Sequence, residues 1–260
     1  MDVVKEIRIN KIKGRDVESI DDLVVTEYPL TIFLNEIELI TLLASPMSLK
    51  ELAVGFLISE SFIDDIDEIE SIQLYENEGC IYINTSTEKD LRIKLKGKRT
   101  ITSGCGKGTS FYSVLDTFKD NKVNRDIKIT SEAIIKMARE FNHLSELFQK
   151  TGGVHCVALC NSDEILYYEE DIGRHNALDK VFGRGHLDSV DFTDKFILTT
   201  GRISSEILIK AAKRNIFLVA SRSAPTELSI KLAKEIGVCV VGFIRGEKMN
   251  IYSNFDSIII

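Results

Sequence analysis

The segment TSGCGKGT, residues 102–109, holds the side chain best suited to chemistry, a cysteine between glycines. The glycines leave the backbone free to expose the sulfur of Cys105, so this residue does not fit a packed core. Lys98, Arg99 and Lys107 lie close by in the sequence, and their positive charge favours the thiolate over the thiol. Because the thiolate is the nucleophilic form, the segment predicts a reactive Cys105 rather than an incidental loop cysteine.

A phosphate-binding P-loop does not fit the same segment. The Walker pattern requires Gly, four residues, and then Gly-Lys followed by Ser or Thr. Here Ile101 stands at the position of the first glycine, and Gly108 follows the lysine. The glycines are therefore interpreted as exposing the cysteine rather than as binding a nucleotide phosphate.

The chain has five scattered cysteines, and a cytosolic protein keeps its thiols reduced. Cys80, Cys156 and Cys239 lie in predicted strands and are expected to be buried small hydrophobic residues. His155 and Cys160 are conceivable metal ligands, but no CxxC pair or HxH motif completes a tetrahedral set. No zinc site is expected.

A second group of candidates follows three predicted strands near the C-terminus. Arg202, Arg222 and Arg245 each come shortly after an apolar strand, and hydroxyl groups, among them that of Ser221, accompany the first two. Ligands of parallel sheets bind beyond the carboxyl ends of the strands, and helix N-termini favour anions. The sequence therefore predicts a cationic, phosphate-binding crevice. The alternative is that the hydroxyls only cap helices and the arginines form surface ion pairs, but the threefold recurrence favours a site.

The third candidate is the dense polar segment DIGRHNALDK, residues 171–180, at a predicted helix start. Its functional interpretation lets Arg174 and His175 reach phosphate or substrate, with Asp171 or Asp179 orienting a base or the histidine. The structural interpretation is equally open. In it, Asn176 caps the helix and Lys180 completes an exposed i, i+4 pair.

The elements that must position these residues alternate strictly in the last third of the chain. Apolar strands are predicted at 196–199, 216–220 and 238–243, with helices at 204–214 and 225–235 between them. Strands that are apolar throughout indicate a parallel sheet covered on both faces, so the pattern is βαβαβ.

The first 95 residues alternate apolar and polar positions as strands do. Hairpins are predicted around Asn35-Glu36 and around residues 76–79, with a helix between them that begins in a capping box, Ser48 with Glu51. The apolar positions Leu52, Phe56 and Ile63 give that helix one buried face.

One long helix is predicted from Thr130 or Ser131 up to Gly152-Gly153, with a buried side that includes Leu144 and Phe148. A hairpin at 154–168 and a helix at 176–182 follow. The polar stretch near residues 121–125 divides the chain into residues 1–124, a smaller strand-rich α+β domain that ends in the Gly-rich segment, and residues 125–260, the main α/β domain.

Composition and charge restrict the function classes. Apolar residues make up 44% of the chain, and a net charge of −7 argues against a global attraction to nucleic acid or to anionic membranes. No apolar run is long enough to span a bilayer, and the N-terminus lacks the apolar region of a signal peptide. A cytoplasmic location is therefore expected.

Six ordered motifs, from about residue 25 onward, resemble the FdhD family of sulfur carrier proteins required for formate dehydrogenase activity. They are TSGCGKGT, TGGVHCVAL, EDIGRHNALDKVFG, TTGRISSEI, ASRSAPTELSIKLA and VGFIRGEKMNIY. The resemblance implies a cytoplasmic homodimer that accepts sulfur from a cysteine desulfurase as a persulfide. It then passes this sulfur to the molybdenum or tungsten bis-guanine-dinucleotide cofactor before the cofactor enters formate dehydrogenase.

The resemblance also implies a fold and site residues. The main domain would be similar to the cytidine deaminase fold, a three-layer α/β/α arrangement without the deaminase zinc signature. The persulfide would form on Cys105. Many members carry a CxxC here, whereas this chain has Gly108 at the second position, which leaves a single-thiol carrier. The cofactor would bind the stretch after the last parallel strand, which comprises Phe243, Ile244, Arg245, Gly246, Glu247 and Lys248.

These readings combine into one mechanistic hypothesis. The Cys105 thiolate attacks the outer sulfur of the desulfurase persulfide, and the Gly-rich segment then presents that sulfur to a cofactor anchored by the cationic crevice. Arg202, Arg222, Arg245 and Lys248 would anchor the cofactor, with Arg174 and His175 at the rim. The alternative is a chaperone that binds the nucleotide cofactor and delivers it without carrying sulfur, and fold analogy alone would suggest a zinc-dependent deaminase.

Overall fold

The N-terminal part of the chain forms a hairpin and a four-stranded sheet in the computed structural model, which describes residues 1–86, 123 and 127–260. The sheet has the order β4-β3-β6-β5, with β3 and β6 parallel. A helix and a short 3₁₀ turn (Ile66–Glu68) connect its two halves. The elements are β1 (Val4–Lys13), β2 (Asp16–Val25), β3 (Tyr28–Leu34), β4 (Ile37–Ala44), α1 (Leu49–Ser59), β5 (Ile69–Tyr75) and β6 (Cys80–Thr85).

Turn residues explain the two predicted hairpins, and the structure confirms both. Asn35 and Glu36 have φ values of 47° and 66°, the backbone of a two-residue turn that matches the twist of β3 and β4. Gly79 ends the second turn at φ 69°, and a Cβ there would lie 2.6 Å from the carbonyl oxygen of Pro29. Both the conformation and the close approach require glycine at this position.

Helix α1 forms where the sequence predicts it, but the predicted capping box is wrong. Ser48 has φ 49° and makes no capping hydrogen bond; its Oγ instead donates to Glu169 Oε2 at 2.6 Å. The partner lies 121 residues away, so local sequence could not indicate it. Leu52 and Phe56 are buried on the helix as expected, whereas Ile63 is buried beyond its end.

The C-terminal part is built on a six-stranded mixed sheet of order β13-β12-β11-β10-β8-β9, in which β10, β11 and β12 are parallel. Helices α5 and α6 connect the parallel strands. The elements are β7 (Ile129–Thr130), α2 (Ser131–Leu144), α3 (Glu146–Thr151), β8 (His155–Cys160), β9 (Ile165–Asp171), α4 (Arg174–Leu187), β10 (Phe196–Thr199), α5 (Ser205–Ala212), β11 (Leu218–Ser221), α6 (Glu227–Ile236), β12 (Cys239–Arg245), β13 (Lys248–Ser253) and β14 (Ile258–Ile259).

This topology confirms the predicted βαβαβ run and the mixed α/β class. The parallel strands are buried on both faces, as their apolar sequences require. The finer expectation of a three-layer, cytidine-deaminase-like arrangement stays a prediction, as does the domain boundary at residue 124. Among the described residues, no helix is long and apolar enough to cross a membrane.

The single long helix predicted after residue 130 is wrong. The chain forms two helices, because the helix begun at Thr130 ends at Leu144 and Ser145 caps a new one by accepting a hydrogen bond from Phe148 N. Thr130 is the first cap, as predicted. Leu144 and Phe148, expected on the buried side, are exposed.

Helix α1 and helix α4 cross at unusually short range and join the two parts of the chain. A Cβ on Gly55 would overlap the carbonyl oxygen of Asp179, and a Cβ on Gly183 would overlap that of Glu51. The two glycines therefore let backbone touch backbone. Each part also has its own hydrophobic core, one around β3, β6 and α1 and one around the six-stranded sheet.

Candidate anion-binding site

The segment expected to carry the reactive thiol lies outside the described residues. This applies to Cys105 and to its neighbours Lys98, Arg99, Lys107 and Gly108. Among the described cysteines, Cys156 and Cys239 are buried as predicted, and Cys160 is buried too. Cys80, predicted to be buried, is only half-buried, because it lies on the outer face of the four-stranded sheet.

The loops after β10 and β11 are locked to each other by hydrogen bonds. Arg222 N donates to the carbonyl of Thr199 at 3.2 Å, and Thr226 N donates to that of Ile203 at 3.0 Å. The hydroxyl of Ser221 is buried among these hydrogen bonds and donates to the carbonyl of Gly201 at 2.7 Å. Ser221 thus holds the two loops together, and its predicted contact with a ligand stays a prediction.

The N-terminus of α4 meets the loop after β10 at one point. A Cβ on Gly201 would lie 3.1 Å from Arg174 Cβ and 3.6 Å from His155 Nδ1. Glycine therefore lets the Arg174 side chain and the His155 ring pack against the loop. Arg174 Nε is buried and has no hydrogen-bond partner among the described residues, an unusual state for a guanidinium N–H donor.

Positive charge dominates this point of contact. Burial lowers the pKa of His155, and the Arg174 and Arg202 guanidinium groups lower it further. Burial, together with Lys210 and Arg174, lowers the pKa of His175 to about 3. Both imidazoles are therefore neutral at pH 7, while two guanidinium groups lie close to His155. We call His155, Arg174, His175, Gly201 and Arg202 the cationic cluster.

The buried state of His175 predicts an acid-dependent loss of stability. The unfolded chain binds a proton at His175 below about pH 6.5, whereas the folded chain does not until about pH 3, so the unfolded state holds more protons between these values. The free energy of unfolding should therefore fall with decreasing pH, by about 1 kcal/mol per pH unit from this residue. Urea unfolding from pH 7.5 to 4.5 checks this.

His175→Gln should flatten the pH dependence over that range, because the glutamine does not titrate. The matched control is His143→Gln, which replaces an exposed histidine on α2. Equal pH slopes for the wild type and His175→Gln would contradict the assignment.

The polar segment 171–180 is mainly structural where it meets the N-terminal part. Asp171 and Lys180 form a fully buried ion pair at 2.7 Å, and Lys180 Nζ also donates to Ser45 Oγ. Asp171 Oδ1 accepts hydrogen bonds from Gly173 N and Asn176 Nδ2, at 2.9 Å each. These bonds fix the turn that presents Arg174.

Two details of the structural interpretation are wrong. Asn176 does not cap the helix, because the N-cap is Gly173 and the amide of Asn176 bonds to Asp171 and to the carbonyl of Leu43. Lys180 is not exposed, because the N-terminal part covers it.

Beneath the cationic cluster lies a second buried ion pair. Lys210 Nζ contacts both oxygens of Asp179, at 2.9 and 2.6 Å, and lies 3.6 Å from Glu60 Oε1. Burial lowers the pKa of Lys210, but Asp179 and Glu60 outweigh burial, so the ammonium stays charged. His175 Nε2 lies 3.4 Å from Glu206 Oε2 above this pair. Helices α1, α4 and α5 thus share one charged network.

The three arginines lie at the carboxyl end of the parallel strands, and all three are exposed. Arg202 alone is tied to the cationic cluster, through its effect on His155. Arg222 follows β11 directly, and Arg245 ends β12 with its guanidinium 6.0 Å from the Phe243 ring centroid. The structure does not bring the three into contact, so their convergence on one crevice stays a prediction.

The stretch after the last parallel strand forms the turn between β12 and β13. Ile244 is buried, whereas its five neighbours are exposed. Phe243 has φ 53° and Gly246 has φ 59°, so the chain bends sharply at two points. Glu247 pairs with Arg139 at 3.0 Å. The exposed residues of this turn are Phe243, Arg245, Gly246, Glu247 and Lys248, and their contact with a cofactor stays a prediction.

Sequence reasoning missed one residue of the cluster, His155, and considered it only as a metal ligand. The sheet topology identifies His155 as a site residue. Because β8 is antiparallel to β10, the first residue of β8 lies at the carboxyl end of β10. Within residues 1–86, 123 and 127–260, no group of three or more His, Cys, Asp or Glu side chains is placed to hold a metal ion.

The chain is similar to known proteins over nearly its whole length. A Listeria innocua protein named Sulfur carrier protein FdhD is 43% identical over 260 residues, which cover 99% of this chain and 100% of that protein. A Bacillus subtilis protein of the same name is 41% identical over 243 residues, 94% of this chain and 93% of that protein.

A solved structure shares the fold. It comes from Desulfotalea psychrophila and is described as a candidate formate dehydrogenase accessory protein. It matches with a TM-score of 0.81 at 26% identity and covers 99% of this chain and 100% of that one. The family model described as the FdhD/NarQ family matches residues 25–259. The chain therefore belongs to the FdhD/NarQ family.

Proposed function

We propose that this protein is a sulfur carrier that serves formate dehydrogenase. Cys105 accepts sulfur as a persulfide from a cysteine desulfurase and passes it to the molybdenum or tungsten bis-guanine-dinucleotide cofactor. The observation that carries this proposal is a single one: a cysteine between glycines and basic residues, in a chain that matches proteins named sulfur carrier from end to end. We further propose a cytoplasmic homodimer.

Sulfur loading is a thiol exchange. The Cys105 thiolate attacks the outer sulfur of the donor persulfide, a new S–S bond forms on Cys105 Sγ, and the donor cysteine leaves as a thiolate. No electrons are gained or lost overall. Lys98, Arg99 and Lys107 favour the attacking thiolate by their charge.

The cationic cluster supports the second half of the proposal. A guanine dinucleotide carries a diphosphate, and the cluster offers two guanidinium groups, one with a buried N–H donor that lacks a partner among the described residues. Guanidinium groups bind phosphate oxygens through charge-assisted, often bidentate hydrogen bonds. The exposed residues of the β12–β13 turn, which include Arg245 and Lys248, lie at the same end of the parallel strands and extend the proposed binding surface.

Intact mass under non-reducing conditions tests the carrier role. After incubation with cysteine and a cysteine desulfurase, the wild type should gain the mass of one sulfur atom, and a reductant should remove it. Cys105→Ala should gain none. The matched control is Cys80→Ala, which removes the half-buried cysteine and should load like the wild type.

If no variant and no wild-type sample gains sulfur while the protein still binds guanine nucleotides, the carrier proposal is overturned. A chaperone that delivers the cofactor without carrying sulfur would then replace it. In that case Cys105→Ala would also still support formate dehydrogenase activity.

A further inference from the structure

His155 is a member of the cationic cluster whose ring makes few hydrogen bonds within the fold. Its Nδ1 has one weak contact, 3.5 Å from Thr200 Oγ1, and Nε2 has no hydrogen-bond partner among the described residues. Thr200 does not depend on this contact, because its Oγ1 already accepts a hydrogen bond from Cys156 N at 3.0 Å. A half-buried imidazole that feels the charge of two arginines, and whose Nε2 has no partner among the described residues, is well suited to contact a ligand.

The charged groups around His155 come from every neighbouring element. Arg174 and His175 come from α4, Arg202 follows β10, and Asp171 ends β9. Asp171 raises the pKa of His155, but each of the two arginines has a larger effect in the opposite direction. The Asp171 carboxylate is also paired with Lys180 and accepts hydrogen bonds from Ser45 N and Gly173 N. His175 is neutral. The two guanidinium groups therefore outweigh Asp171, and the net electrostatic effect on the His155 ring in the free protein is that of positive charge.

We infer that His155 is a third ligand-binding group of this site, which contacts the diphosphate of the bound guanine nucleotide and takes up a proton as the nucleotide binds. This inference rests on the proposed function. An anion seated between Arg174 and Arg202 cancels their repulsion of an imidazolium and adds an attraction of its own. The neutral ring of the free protein thereby becomes a charged hydrogen-bond donor to phosphate.

Proton uptake makes the affinity depend on pH. Burial and the two arginines keep the pKa of His155 below its ordinary value in the free protein, and the bound anion raises it. Between the two pKa values the affinity falls as pH rises, by up to about tenfold per pH unit for one proton. The probe must not titrate in this range, and a terminal phosphate does so at about pH 6. Diguanosine 5′,5′-diphosphate, a diphosphate diester, meets this need.

Isothermal titration calorimetry of the full chain with this probe counts the protons. Runs at pH 6.5 in two buffers of different ionisation enthalpy should show a net proton uptake for the wild type and none for His155→Gln, which should still bind, several-fold more weakly. The control His143→Gln, which replaces an exposed histidine on α2, should match the wild type. Proton uptake that persists in His155→Gln overturns the inference.

An NMR titration of the His155 imidazole in the wild-type protein provides a measurement that does not depend on a variant. The pKa of His155 should rise when the probe is added, and an unchanged pKa would overturn the inference. The two proposals fail separately. Binding without a His155-linked proton removes only the inference, whereas absence of probe binding removes the nucleotide site and the inference together. Sulfur loading on Cys105 is measured independently of both.

Discussion

Gly183→Ala is expected to reduce the free energy of unfolding by about 3 kcal/mol or more, at the upper end of what overpacking costs. The added methyl group would overlap the carbonyl oxygen of Glu51, and a backbone carbonyl inside a helix cannot move aside as a flexible side chain does. Helices α1 and α4 would have to separate. Because the crossing joins the two parts of the chain, their whole contact would loosen.

Urea unfolding followed by circular dichroism measures this effect. Gly153→Ala is a matched control, since its Cβ would lie 2.8 Å from Val25 Cγ1, the end of a side chain that can rotate. Its cost should be clearly smaller. Gly55→Ala, on the opposite helix, should be as damaging as Gly183→Ala because it meets the carbonyl oxygen of Asp179. A Gly183→Ala protein as stable as the wild type would contradict the close crossing.

Local elements could be predicted from the sequence because their causes are local. Asn35-Glu36 adopts the left-handed backbone of a hairpin turn, and the apolar run at 196–199 is the strand that the pattern indicated. The alternation of apolar strands with amphipathic helices was sufficient to predict the parallel strands of the core. The boundaries of the strands and helices of this parallel core differ from the predicted ones by only a few residues.

Contacts between distant residues could not be predicted in this way. Ser48 has the sequence context of a helix cap, yet Glu169 competes for its hydroxyl across the junction of the two parts. Lys180 has the spacing of an exposed helical pair, yet the N-terminal part covers it. His155 is invisible as a site residue until the antiparallel register of β8 and β10 is known.

The candidate site was partly predictable for the same reason. Arg174, His175 and Arg202 could be named because polar residues at helix starts and strand ends have a general meaning in α/β proteins. The neighbours of these residues could not be predicted, because they come from segments that only the tertiary structure brings together. The Gly201 contact with Arg174 and His155 joins three segments separated by tens of residues.

Lys180→Met is expected to cost about 3–5 kcal/mol, because it leaves the Asp171 carboxylate buried without its cation. Methionine keeps most of the side-chain volume, so the loss reports charge rather than a cavity. The hydrogen bonds that Lys180 donates to Ser45 and to the Glu170 carbonyl are lost as well. Urea unfolding at pH 7.5 gives the magnitude.

The matched control is Lys150→Met, which breaks an exposed i, i+4 pair with Glu146 and should cost only about 0.3–0.5 kcal/mol. Asp171→Asn combined with Lys180→Met should cost less than the sum of the two single changes, because the second removes the charge that the first stranded. Equal effects of Lys180→Met and Lys150→Met would contradict a buried pair.

The same variant connects stability to the site. Asp171 holds Gly173 N, and Gly173 is the residue from which α4 starts and Arg174 projects. If the ion pair fixes that turn, Lys180→Met should weaken the binding of diguanosine 5′,5′-diphosphate even where the variant is fully folded, whereas Lys150→Met should not. Unchanged affinity in folded Lys180→Met would show that the packing of Arg174 against Gly201 is sufficient to position the arginine.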